Sequence, residues 1–241
     1  MSFIKYNKNI INKHWYTIKE IEDYLINYCN INNYKNILEI GPGLNQFPLA
    51  TKFVGYNENI NNYISIDIDE EKLPFKDKEL DFIYSRHVLE DVQNPNFALK
   101  EIVRCCKSGY IETPSPLIEI TKGIDGHNDS DKYCGYLHHR YIIWSDIEKC
   151  EMYFLPKYSC IIDNFMELYN PVDFYKIVND KPLYWNNYFI WKDKQPKIVM
   201  YKNGINFHLN VENYIILLND AINKSITNTN FFIKNNLNLY F

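Results

Sequence analysis

Glu39, Gly41 and Gly43, set in NILEIGPGLNQFP (36–48), are the first residues whose types and spacing point to chemistry. A short apolar run ends in an acid and opens at once into a tight glycine loop, the way a first strand hands a ligand to the helix behind it. Glycine at such a place lets the backbone approach a ligand that any Cβ would strike. A pyrophosphate ligand wants a third glycine for close helix packing, and Gln46 stands there instead. No Gly-Lys-Ser/Thr follows, so a Walker cradle is absent too. The acid favours a ligand with a cationic amino acid end over a phosphate.

The elements that must position this loop can be read from periodicity. TIKEIEDYLINYC (17–29) places Ile18, Ile21, Tyr24, Leu25 and Tyr28 on one helical face. NILEI, TKFVGY (51–56), YISIDID (63–69) and LDFIYSR (80–86) read as strands, and NPNFALKEIVRCC (94–106) as a turn leading into an amphipathic helix. GYIETPSP (109–116) is a strand stopped by two prolines. The alternation predicts an α/β fold: a Rossmann-like, doubly wound, mostly parallel sheet of about seven strands with helices on both faces. Beyond it, RYIIWS, EMYFL and YSCIID are β-prone, NYFIWK and KIVMYK suggest a hairpin pair, and NPVDFYKIVND and VENYIILLNDAI suggest helices. The expectation is one domain over 1–241, with a core over about 15–165 and a C-terminal elaboration over about 166–241.

Bulk properties exclude several functions. The 241 residues are 46% hydrophobic, enough for a core, and carry a net charge of −4. No cluster of Lys and Arg offers a nucleic-acid footprint, so nucleic acid is disfavoured as a partner. No run of about 18 apolar residues offers a membrane span. The six cysteines form no Cys-x-x-Cys pair, and the N-terminus lacks a secretory pattern, so a reduced, cytoplasmic chain is expected. The oligomeric state cannot be read. Asn, Ile, Lys and Tyr are over-used, which weakens any argument from an isolated Asn or Lys.

With these elements in place, the chain resembles class I S-adenosylmethionine-dependent methyltransferases of the type 11 group. Glu39-Ile-Gly41-Pro42-Gly43 is similar to their first motif, and GLNQFP to a branch whose loop runs G-x-N-P-x-P, which accounts for Asn45 and Pro48. DEEKLPFKDKELDFIYSRHVLEDVQNP (69–95) and ALKEIVRCCKSGYIETPSP (98–116) continue the likeness, with a weaker echo at HHRYIIW. The resemblance implies S-adenosylmethionine as cofactor. Gly41 and Gly43 would line its methionine and ribose, Glu39 its amino acid end, and Asp69 would accept from the adenine amino group. Pro42, Asn45, Glu70 and Arg86 are the further cofactor contacts it implies. The usual ribose acid has no clean match: Gly55 is at the aligned place, and Glu58 or Asp67 are substitutes. Asp67 is preferred, since two residues before Asp69 it would point the same way on a strand.

Methyl transfer from a sulfonium requires alignment and exclusion of water, and a hydroxyl acceptor must also lose a proton. His87, at the carboxyl end of the fourth strand, is the first choice for base or acceptor orienter, against the plainer reading of a ring packed under the cofactor. Asp91, where the family has His, is either a substrate contact or a helix-start acid. Glu112 is a third catalytic candidate, or the partner of a buried backbone group. The stretch 121–140 reads as a lid in which His138, His139 and Arg140 meet a small-molecule or glycan acceptor. Its His127, Asp129, Asp131, Cys134, His138 and His139 are metal-ligand types without a tight pair at standard spacing, so no metal is expected. The rival to the enzyme is a non-catalytic binding or regulatory subunit on the same fold. A nicotinamide-dependent oxidoreductase is a third reading.

Overall fold

A computed structural model describes residues 18–43, 45–55, 61–121, 124–125, 134–157, 182–201 and 211–237, and among these described residues nine strands and four helices are formed. Five short strands, β1 (Ile37–Ile40), β2 (Lys52–Gly55), β3 (Tyr63–Ser65), β4 (Leu80–Arg86) and β5 (Cys106–Pro114), run parallel. The sheet order is β3-β2-β1-β4-β5-β8, with β8 (Asn186–Lys192) antiparallel to β5 at the edge. β1 is buried throughout, as expected of a strand covered on both faces.

Helices pack on both faces. α1 (Lys19–Ile31) buries Ile21, Leu25 and Cys29 in a cluster with Phe82, Tyr110 and Tyr188. α2 (Pro95–Cys105) starts at Asn94, whose side chain accepts from Phe97 N, and has Pro95 where a missing N–H is harmless. It lays Leu99, Ile102 and Val103 against Leu38, Ile83 and Ile111. Each such side chain, fully buried, stabilises the fold by about 1.5–3 kcal/mol.

A short helix α3 (Pro116–Glu119) leads toward a second sheet of order β6-β7-β9, made of β6 (Tyr141–Asp146), β7 (Glu151–Pro156) and β9 (Lys197–Met200). α4 (Val211–Phe232) packs Tyr214, Leu218 and Ile222 into the cluster that holds Ile142 and Trp144. No helix among the described residues is long and apolar enough to cross a membrane.

Two expectations need correction. NYFIWK and KIVMYK do not pair as a hairpin: β8 joins β5, while β9 runs parallel to β7 in the other sheet. The register puts Gly109 opposite Trp191, and a Cβ on Gly109 would lie 2.3 Å from the indole Cη2. The indole thus fills the space that glycine leaves on β5, a tertiary fit that local pattern does not encode. Likewise YISIDID is a strand only to Ser65; Asp67 then folds the chain into a turn, its Oδ1 accepting from Asp69 N at 2.9 Å. YSCIID and NPVDFYKIVND lie outside the described residues, as do Glu58, His127, Asp129, Asp131 and Cys160.

Candidate active site

β1 has β2 on one side and β4 on the other, so the loops leaving the carboxyl ends of β1 and β4 open at the point where the strand order switches. Gly41 begins the first loop at φ +67°, its N–H donating to Val54 O at 2.8 Å. A Cβ there would sit 2.3 Å from Val88 Cγ2, so the two loops touch. Gly43 differs: a Cβ at that position meets nothing within 4 Å among the described residues. Pro42 is buried, and Asn45 is exposed.

Beneath the loop Glu39 is 3% exposed, one carboxylate oxygen accepting from Phe47 N at 2.9 Å. Burial pushes its pKa up to about 7 against the pull of that N–H. No cation among the described residues pairs with it. An acid held in the fold without a cation, beside backbone with open space over it, fits a ligand that brings its own ammonium group.

Asp69, expected at the adenine amine, accepts from Asn94 N on Oδ1 at 2.8 Å, which leaves its second oxygen as the acceptor. Asp67 does not share a strand face with Asp69. It builds the turn, accepting from Asp69 N on its side chain and from Glu71 N on its carbonyl, so it does not point with Asp69 as a strand neighbour two residues away would. Glu70 is exposed in the same turn.

His87 follows β4 directly, in the left-handed region at φ +52°, with its N–H on Glu112 O at 2.9 Å. A non-glycine residue held there is a strained position of the kind found at functional sites. Below it lies a buried network. Glu112 Oε1 accepts from Arg86 Nε at 2.9 Å and from Asn186 Nδ2 at 2.6 Å, and its Oε2 accepts from Tyr110 OH at 2.6 Å. Glu112 therefore satisfies side chains from three strands, not a backbone group. Arg86, expected at the cofactor, is held on it. Asn186, with its amide nitrogen on Glu112, turns Oδ1 to His87 Nε2 at 3.2 Å. That orientation requires Nε2–H and leaves the lone pair on Nδ1. Burial, then the positive charges of Arg86 and His139, hold His87 well below its usual pKa, so the ring is neutral.

A second cluster joins the loop after β4 to the segment before β6. Arg140 N and Tyr141 N donate to Glu90 O at 2.7 and 3.2 Å, and Arg140 Nε to Asp91 O at 3.0 Å. His139, its side chain 4% exposed, bonds Glu119 Oε1 through Nδ1 at 2.6 Å. Lys157, fully buried, donates to Glu119 Oε2 at 2.6 Å and to Tyr136 O at 2.7 Å. Although burial pushes Glu119 up, Lys157 and His139 pull its pKa down to about 2. Asp91 is not a helix-start acid, for Asn94 caps α2; its Oδ1 lies 3.9 Å from Nε2 of both His138 and His139. His138 and Arg140 are exposed.

The structure thus brings Glu39, Gly41, Pro42 and Gly43 together at one loop, gathers Arg86, His87 and Glu112 behind it, and sets Asp91, His138, His139 and Arg140 in a neighbouring group. Asn186, Tyr110, Glu119 and Lys157 were missed. Asn186 sits in an Asn-rich chain where a single Asn carries no signal, and Glu119 and Lys157 lie 38 residues apart in sequence.

Residues 29–111 match the family model described as a methyltransferase domain. No curated protein matches the sequence. Among solved structures, an S-adenosylmethionine-dependent methyltransferase from Mesorhizobium loti is 17% identical, over 35% of this chain and 49% of that one, at a TM-score of 0.29. One from Clostridium acetobutylicum is 13% identical over 54% and 58%, at 0.37. One from Archaeoglobus fulgidus is 22% identical over 44% and 57%, at 0.34. The chain spans about half the length of the solved structures it matches.

Proposed function

We propose, from the match of residues 29–111 to a methyltransferase domain and the likeness of the glycine loop to the first motif of class I enzymes, that the protein uses S-adenosylmethionine to methylate a hydroxyl oxygen of a small-molecule or glycan acceptor. The observation that carries this reading is the open space over Gly43 beside the buried Glu39, with which no cation among the described residues pairs. Bound S-adenosylmethionine supplies an electrophilic methyl group on a sulfonium, transferred by in-line displacement.

The chain's own residues do the rest. Glu39, which accepts from Phe47 N on one oxygen, would hold the ammonium of the cofactor's amino acid end. The open space over Gly43 would admit the cofactor closely, and Asp69 would offer the adenine amine the oxygen that Asn94 does not use. His87 receives the acceptor's hydroxyl on Nδ1, oriented from behind by Asn186, Glu112 and Arg86. Its lowered basicity suits it to align the hydroxyl and to take the proton once the new oxygen–carbon bond has made that proton acidic, then release it to water. The segment 138–140 walls the acceptor side. The absence of a basic cluster in the sequence argues against a nucleic-acid acceptor, and a sequence without a Cys-x-x-Cys pair fits a reducing compartment such as the cytoplasm.

Calorimetric titration with S-adenosylmethionine and its demethylated product tests the reading. Saturable binding is expected, together with transfer of labelled methyl to hydroxyl compounds. No binding at high micromolar concentration would favour a non-catalytic subunit, and binding of NAD in its place would favour an oxidoreductase.

A further inference from the structure

We propose that Asp91, His138 and His139 form a binding site for a divalent first-row transition-metal cation, zinc-like in its ligand preference. A ligand atom from each of the three lies within 4.8 Å of the other two. They come from two segments, the loop after β4 and the residues before β6, which explains why no ligand spacing is visible in the sequence. Those segments are stitched at Glu90 and Asp91 by backbone and arginine hydrogen bonds, so the approach belongs to the fold and not to chance contact of exposed side chains.

The imidazole of His139 is already set for a metal. Its Nδ1 is engaged by Glu119 Oε1 at 2.6 Å, which directs Nε2 into the cluster. A carboxylate behind the ligating histidine is the common outer partner in metal sites, fixing tautomer and ring orientation. Lys157 holds the other oxygen of that carboxylate at 2.6 Å, so Glu119 itself is fixed.

The independent pointer is Glu90. It is 1% exposed, neither of its carboxylate oxygens has a hydrogen-bond partner among the described residues, and Oε1 lies 4.0 Å from His139 Nε2. Asp91 Oδ1 likewise has no hydrogen-bond partner among the described residues. A buried carboxylate left unbonded is costly, and a cation between it and the histidines removes that cost. Two imidazole nitrogens and carboxylate oxygens suit zinc and its neighbours, whereas magnesium and calcium prefer oxygen alone. Bonds of about 2.1 Å at tetrahedral angles set ligand atoms about 3.4 Å apart. The present separations, 3.9 Å from Asp91 to each histidine and within 4.8 Å overall, need a contraction that Asp91 and His138, with side chains 42% and 57% exposed, can make by rotamer change. Their exposure also gives the ion its entry path.

The test uses the full chain, stripped with chelator, titrated with Co²⁺ as a visible-absorbing probe and then with Zn²⁺ as competitor. Wild type is expected to take up one equivalent of Co²⁺ with ligand-field bands of nitrogen and oxygen coordination, displaced by Zn²⁺. His138→Ala and Asp91→Asn are each expected to weaken binding by more than about tenfold. His138 is exposed, so its truncation leaves the fold intact, and circular dichroism checks both variants. No saturable uptake by wild type, or equal affinity in both variants, would overturn the proposal. Neither readout depends on cofactor binding or methyl transfer.

Discussion

Asn186 Nδ2 donates to Glu112 Oε1 at 2.6 Å across the antiparallel edge of the main sheet, and that bond decides which nitrogen of His87 is basic. With its amide nitrogen committed, Asn186 can only accept from His87 Nε2, so the imidazole lone pair is on Nδ1. Replacing Asn186 by Leu should therefore act on the chemistry through His87. The expected result is a kcat lowered by about 10²-fold, the low end for loss of a positioned acid–base group, with S-adenosylmethionine affinity nearly unchanged. Steady-state kinetics with separate kcat and KM checks it; a change confined to KM would show a binding role instead.

Glu39 makes stability and cofactor binding depend on pH in opposite senses. Its folded pKa of about 7 lies above the ordinary glutamate value of 4.5, so between these values the folded chain holds more protons than the unfolded one. Stability is then greatest below pH 4.5 as far as this group is concerned, and falls as pH rises to about 7, by about 3 kcal/mol in all. The ammonium of the cofactor wants the ionised form, so affinity should rise over the same window and binding below pH 7 should release protons. Denaturation of wild type and Glu39→Gln at either end of the window tests the first part, the variant losing the slope. Calorimetry in buffers of different ionisation enthalpy tests the second.

Lys157 and Glu119 form an ion pair with side chains 0% and 1% exposed. Lys157→Met leaves Glu119 buried with His139 alone and should cost about 3–5 kcal/mol in urea denaturation. Adding Glu119→Gln should recover a large part of that loss, since both charges are then gone. A single variant as stable as wild type would contradict the ion-pair account.

Gly109→Ala drives a Cβ toward Trp191, whose Cη2 and Cζ2 would lie 2.3 and 2.6 Å away. Overpacking of this kind costs about 1–3 kcal/mol. Thermal melts should show the loss, and Trp191→Leu in the same chain should return some of it.

The parts of this protein that were legible in sequence are those whose signals are local. The acid and glycines of 36–48, the strand before them and the helix over 95–105 carry their own periodicity and punctuation, and the structure places them as expected. Asp67 was misread because an aspartate that hydrogen-bonds its own backbone ends a strand that hydrophobic alternation alone would extend. The β8 and β9 segments were misread because strand partners are chosen by packing, here Trp191 over Gly109, at a separation of 82 residues. Asn186, Glu119 and Lys157 acquire meaning only from partners brought together by the fold, against a background rich in Asn and Lys.

Gly43 gives the most direct test of the central claim, that S-adenosylmethionine lies on the loop after β1. Its φ is not in the left-handed region and no described atom lies within 4 Å of a Cβ built on it, so Gly43→Ala should leave the melting temperature unchanged. A bound cofactor would occupy that space. Calorimetric titration should then give saturable S-adenosylmethionine binding to wild type and binding more than about tenfold weaker to Gly43→Ala, a loss of at least about 1.4 kcal/mol. Equal affinity in the two proteins, or no binding to wild type, would contradict the account.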